Sequence, residues 1–113
     1  MERRPMNAKN IIAILLLLVF VGCASVDITK TAKGFYDPTN PNEVEILKTR
    51  PDKPYEELGT ITAIQFDALD AAKMHNAIRA KSAPLGATAV IITQEGFDNA
   101  GRRWAIGVAI RYK

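Results

Sequence analysis

What the chain lacks already narrows its chemistry. Its 113 residues contain one cysteine and one histidine. A single cysteine can form no intrachain disulfide and cannot build a cysteine-type structural zinc site. A single histidine removes two-histidine metal sites and paired-imidazole mechanisms. The 7 glycines are scattered, so no glycine-rich loop is available to cradle phosphate. The formal net charge of +3 suggests more than it delivers. Arg3, Arg4, Lys9 and Glu2 all precede residue 23, and without them 12 basic residues balance 11 acidic ones, a net of +1. That balance makes no nucleic-acid surface and no polybasic membrane patch. A long apolar span is missing as well. Between Lys9 and Asp27 lie 17 uncharged residues, Asn10 to Val26, where a permanent span needs roughly 20 to cross about 30 Å of hydrocarbon.

The stretch that is present has the order of an export signal. Arg3, Arg4 and Lys9 precede an apolar run from Ile11 to Val21, and a small residue, Gly22, follows before Cys23. The basic side should stay in the cytoplasm while the downstream chain crosses. Phe20-Val21-Gly22-Cys23 resembles the lipobox of bacterial lipoproteins, with Phe20 standing where leucine is usual. The resemblance implies cleavage between Gly22 and Cys23, a diacylglyceryl group on the Cys23 sulfur and a further acyl chain on its nitrogen. One acyl chain binds membranes only marginally and reversibly, whereas several together hold fast. In lipoproteins of cells with two membranes, aspartate directly after the cysteine marks inner-membrane retention. Ala24-Ser25 lacks it, so the resemblance implies the periplasmic face of the outer membrane.

Three regions are expected: a signal peptide at 1–22, a lipidated N-terminus and flexible tether at 23–42, and a domain at 43–113. The tether ends in Asp37-Pro38-Thr39-Asn40-Pro41-Asn42, a run of turn formers. If flexible, its roughly 19 residues would reach about 25 Å root-mean-square, enough to hold a domain clear of lipid headgroups. Phe35 and Tyr36 stand out within it, and packing back onto the domain is their simpler role.

The domain reads as β-β-α-β-β, an α+β fold with one small, mostly antiparallel sheet packed by one helix. Val44 to Leu47 and Leu58 to Phe66 alternate as strands, separated by Pro51 and Pro54. Gly59 suggests a bulge or a close backbone approach. Asp67 is the expected N-cap of a helix over about 68–83, with Asp70 in its first turn and Pro84 and Gly86 marking its end. Ala87 to Gln94 is apolar on both faces and should be an interior strand. A turn over Phe97 to Gly101 leads into Arg103 to Tyr112, where large residues (Trp104, Ile106, Val108, Ile110, Tyr112) alternate with small ones. The large row is expected to meet the helix.

Tyr55-Glu56-Glu57-Leu58-Gly59-Thr60-Ile61 and Ala83-Pro84-Leu85-Gly86-Ala87-Thr88-Ala89-Val90-Ile91 resemble small envelope lipoproteins of the Rcs stress-sensor kind and cytoplasmic YbjQ-type domains. The resemblance spans roughly Val44 to Tyr112. It implies a strand-helix-strand core and, for the sensor kind, signalling through contact with other envelope proteins.

No constellation supports catalysis. His75 and Ser82 share a helix face but are separated by about 10 Å of helical rise, beyond hydrogen-bond reach. Glu56 and Glu57 are adjacent on a strand and point opposite ways. Asp67 and Asp70 are explained by capping, and Arg102-Arg103 by a solvated hairpin shoulder. The expectation is a non-enzymatic envelope lipoprotein with no metal and no cofactor beyond the lipid on Cys23. It would act by contact with a protein partner or with itself, through aromatics such as Phe35, Tyr36, Trp104 and Tyr112. The alternative is a lipoprotein that captures a small ligand between helix and hairpin.

Overall fold

A computed structural model describes residues 23–31 and 35–113. The expected signal peptide, 1–22, lies outside the described residues. Among the described residues, five strands and one α-helix follow in order: β1 (Ser25–Lys30), β2 (Glu45–Leu47), β3 (Tyr55–Phe66), α1 (Ala71–Ser82), β4 (Ala89–Phe97) and β5 (Arg103–Tyr112). The sheet order is β1-β3-β5-β4-β2. All pairings are antiparallel except that of β2 with β4, which is parallel. The α+β class and the single helix on a single sheet are as the sequence implies.

The tether is the first correction. Ser25–Lys30 is a strand, paired along its whole length with β3 from Ser25 opposite Ile64 to Lys30 opposite Gly59. Val26 and Ile28 alternate with polar neighbours, and both turn toward the helix side, Val26 buried and Ile28 partly so. Two apolar positions are enough at a sheet edge, because the established strand β3 supplies the hydrogen-bond partners. Further along, Thr39 donates its backbone N–H to the Ala83 carbonyl (2.9 Å) and its hydroxyl to the Ala87 carbonyl (2.5 Å). The domain therefore begins at residue 25 rather than 43, and 35–40 is bound to it.

The helix starts later than its sequence suggests. Asp67 folds its carboxylate onto the Leu69 N–H (2.9 Å) in a local turn, and Asp70 caps α1 by accepting from the Lys73 N–H (2.9 Å). Two aspartates three residues apart both satisfy the capping pattern, and the extra turn settles the choice. The helix tightens into a 3-10 turn at Ala83–Leu85 and stops at Gly86, whose φ of 86° suits glycine. A Cβ there would also lie 2.5 Å from the Tyr36 Cβ.

The face assignment is the second correction. Met74 and Ile78 of α1 pack with Val26, Ile61, Ala63, Phe66, Val90 and Ile92, and β5 contributes its small row, Ala105 and Ala109. The large row of β5 points to the other face. There Ile110 is buried with Ala89 and Ile91 in a second, smaller core, flanked by Leu47, Tyr55, Val108 and Tyr112. The helix brings its own large side chains, so the central strand opposite it must offer small ones. The β2–β3 connection brings Lys53 over Tyr112, 4.1 Å from the ring centroid.

β3 carries two irregularities, between Glu57 and Gly59 and between Ala63 and Phe66. The second places Gln65 at a φ of 64°. At Gly59 both sequence expectations are met, since a Cβ would sit 2.7 Å from the Thr29 carbonyl oxygen of β1. Replacing Gly59 with Ala should thus push β1 off the sheet edge and cost about 1–3 kcal/mol. Ile78→Ala, which hollows the main core, should cost about 2–5 kcal/mol. Urea unfolding of the chain from residue 23 onward, read as a lowered midpoint at unchanged slope, checks both.

Candidate functional site

The short distance from Cys23 to the folded sheet organises this region. Cys23 is exposed, and only Ala24 separates it from the first residue of β1. Beside it, a groove runs between β1 and the flank of α1. Val26 and Phe66 form its floor, Ala77, Ala80 and Pro84 one wall, and Lys73 and Lys81 stand along the same helix flank. Asp27 contributes the acidic group on the strand side. A second depression continues past Ala24 and Phe66 to Asp67, Leu69 and Arg102, sharing Lys73 with the first. Leu69, in the turn before α1, is 96% exposed. Both recesses are open clefts at the side of the molecule.

The four aromatics singled out from sequence do not form one surface. Tyr36 packs on the helix-side core and donates its hydroxyl to Glu56, while the Arg111 guanidinium stacks 4.8 Å from its ring centroid. That hydrogen bond to Glu56, with burial and the carboxylate charge behind it, holds the Tyr36 phenol above its ordinary pKa against the opposing pull of Arg111. Phe35 is 91% exposed, capped by the Lys30 ammonium 3.4 Å from its centroid. Trp104 and Tyr112 lie on the opposite face of the sheet, at the two ends of β5 and about 26 Å apart at strand spacing. Trp104 covers Gly96, and Tyr112 packs on the second core with its hydroxyl 3.4 Å from Glu45. Tyr36 and Tyr112 are thus chiefly packing residues.

The groups examined for chemistry are equally dispersed. Ser82 is fully buried, and its hydroxyl donates back to the Ile78 carbonyl one turn earlier. His75 is partly exposed on α1. Its pKa lies below the ordinary imidazole value, first through burial and then through the positive charges of Lys48, Arg79 and Arg103, which outweigh Glu95. Arg79 donates to the Val44 carbonyl (2.9 Å) and Arg103 to the Ala68 carbonyl (2.7 Å), so both are tied to backbone. Asp98 accepts from the Ala100 and Arg102 N–H groups, each at 2.9 Å, and shapes the hairpin turn. The space between helix and sheet, where a captured ligand would sit, is filled by the main core. A solute would have to use the open clefts instead.

Sequence reasoning missed Lys73 and Lys81 as neighbours of Cys23, and Leu69 as a neighbour of the depression that begins at Ala24. Their closeness depends on β1, and the signal that could have revealed β1 was the Val26/Ile28 alternation.

No family model matches the chain, and no curated protein does. Among solved structures, the fold is similar to the crystal structure of the Francisella virulence factor FvfA. The TM-score is 0.59 and the identity 14%, with 80% of this chain and 99% of that one covered. The likeness is one of fold: the helix-on-sheet architecture occurs in that protein too.

A histidine with a depressed folded-state pKa favours folding above the unfolded-state value of about 6.5, and that contribution is lost as pH falls through the window below it. His75→Gln should therefore flatten the decline in stability on the acid side of pH 6.5. Thermal midpoints of wild type and variant across pH 5 to 8 measure this, and parallel curves would contradict it.

Proposed function

We propose that this chain is a lipid-anchored protein of the bacterial envelope that acts through contacts rather than catalysis. The observation that carries the reading is the order of the N-terminal residues. A basic segment, an eleven-residue apolar run and Gly22-Cys23 are followed at once by the exposed start of an α+β domain. Anchoring at Cys23 places that domain at a membrane surface, and the two residues after the cysteine favour the outer membrane where the host has one. The resemblance to the Rcs-sensor kind of lipoprotein supports contact with other envelope proteins, or self-association, as the mode of action. The scattered placement of His75, Ser82 and the carboxylates fits this non-catalytic role, since acid–base chemistry needs its groups converged on one point.

The test is to compare wild type with Cys23→Ala in the native host. Intact mass should show the wild-type chain beginning at Cys23 with a lipid adduct, and the variant without one. The variant should leave the membrane fraction, and in-cell cross-linking should lose every partner that depends on membrane placement. A wild-type mass with Met1 retained and the Cys23 sulfur unmodified would overturn the proposal.

A further inference from the structure

Building on the Cys23 anchor just proposed, we infer that the flank of the domain formed by Leu69, the β1–α1 groove and the exposed side of α1 lies directly on the lipid surface. Two Cα–Cα steps separate Cys23 from Ser25, a reach of about 7 Å at full extension. The headgroup layer on one side of a bilayer is itself only about 5–7 Å thick. With its first strand starting that close to the acylated residue, the domain cannot stand clear of the membrane. Some face of it must meet lipid.

The position of Cys23 selects the face. It lines the groove between β1 and α1, and the adjoining depression begins at Ala24. Across that flank the exposed chemistry suits a headgroup boundary. Leu69 offers an apolar side chain to solvent at the turn before the helix. Lys73 and Lys81, eight residues apart and so about 12 Å along the axis, bracket Ala77 and Ala80. Lysines so placed can lay their methylene stems along apolar surface while their ammonium groups reach phosphate. Asp27 and Asp67 border the same flank, so net charge alone would not recruit the domain. It has no need to. The anchor makes the contact intramolecular, and at that effective concentration a weak interaction suffices. Lipid phosphate is the partner this chemistry fits, with Leu69 immersed and the two lysines at the phosphate level.

The experiment uses the full-length chain, lipidated in cells and reconstituted into vesicles of phosphatidylethanolamine and phosphatidylglycerol. Thioether formation leaves Cys23 unreactive, so a nitroxide can be attached at Ala80→Cys on the flank or at Asp52→Cys on the far face of the sheet. The label at residue 80 should show several-fold lower exposure to a water-soluble relaxation agent, and higher exposure to oxygen, than the label at residue 52. Adding Leu69→Glu with Lys73→Glu, both away from the core, should restore water exposure at residue 80. Equal water exposure at the two positions in chains whose mass includes the lipid would overturn the apposition and leave the anchor standing. Protection of residue 80 in cells but not in pure lipid would also overturn it, pointing to a protein as the covering surface. A chain whose mass lacks the lipid would bring down anchor and apposition together.

Discussion

The antiparallel pairing of β1 with β3 is the constraint from which the rest follows. It closes the outer edge of the sheet over the helix and buries Val26 against α1. It also draws Cys23 and Ala24 against the helix flank. Without it, residues 23–40 would be a leash and α1 would cover only part of its sheet. With it, Cys23 stands only two residues from the edge of the folded sheet. The register requires glycine at residue 59, because the Thr29 carbonyl occupies the space where a side chain would begin.

Around that pairing the molecule divides its apolar residues between two cores on opposite faces. The helix supplies bulk on one side, so β5 meets it with Ala105, Gly107 and Ala109. On the other side no helix lies among the described residues, and β5 contributes Ile110 and Val108, closed over by Tyr55, Tyr112 and Leu47. The polar side chains serve structure almost throughout. Asp70 caps a helix, Asp98 shapes a turn, Arg79 and Arg103 satisfy backbone carbonyls, and Ser82 bonds back into its own helix.

Much of this architecture was legible in the residues. The alternation of β5, the apolar run of β4 and the helix between Asp67 and Gly86 each follow from local patterning, which depends on neighbours in sequence. What could not be read depends on neighbours in space. β1 has only two apolar positions, too few to stand out until β3 is known to lie beside it. The alternation in β5 separates two faces without saying which one a helix will cover. Asp67 and Asp70 present the same capping chemistry, and only the turn between them decides. The groove beside Cys23 joins residues as distant as 23 and 84, and no spacing rule connects them. Of the two aromatics expected to pack back onto the domain, Tyr36 does so and Phe35 stays exposed.

The placement of β5 has a bearing on how the chain reaches its folded state. It is the last of the five strands in sequence and the middle one in space, and like its neighbour β4 it gives side chains to both cores. A sheet wired this way cannot be laid down strand by strand as the polypeptide emerges. Until residues 103–112 arrive, β1 with β3 and β2 with β4 share no backbone hydrogen bonds and meet only through side chains packed on α1. Such non-local closure is slow compared with local helix formation. Were the chain exported as proposed, such late completion would leave it unfolded while it crosses the membrane.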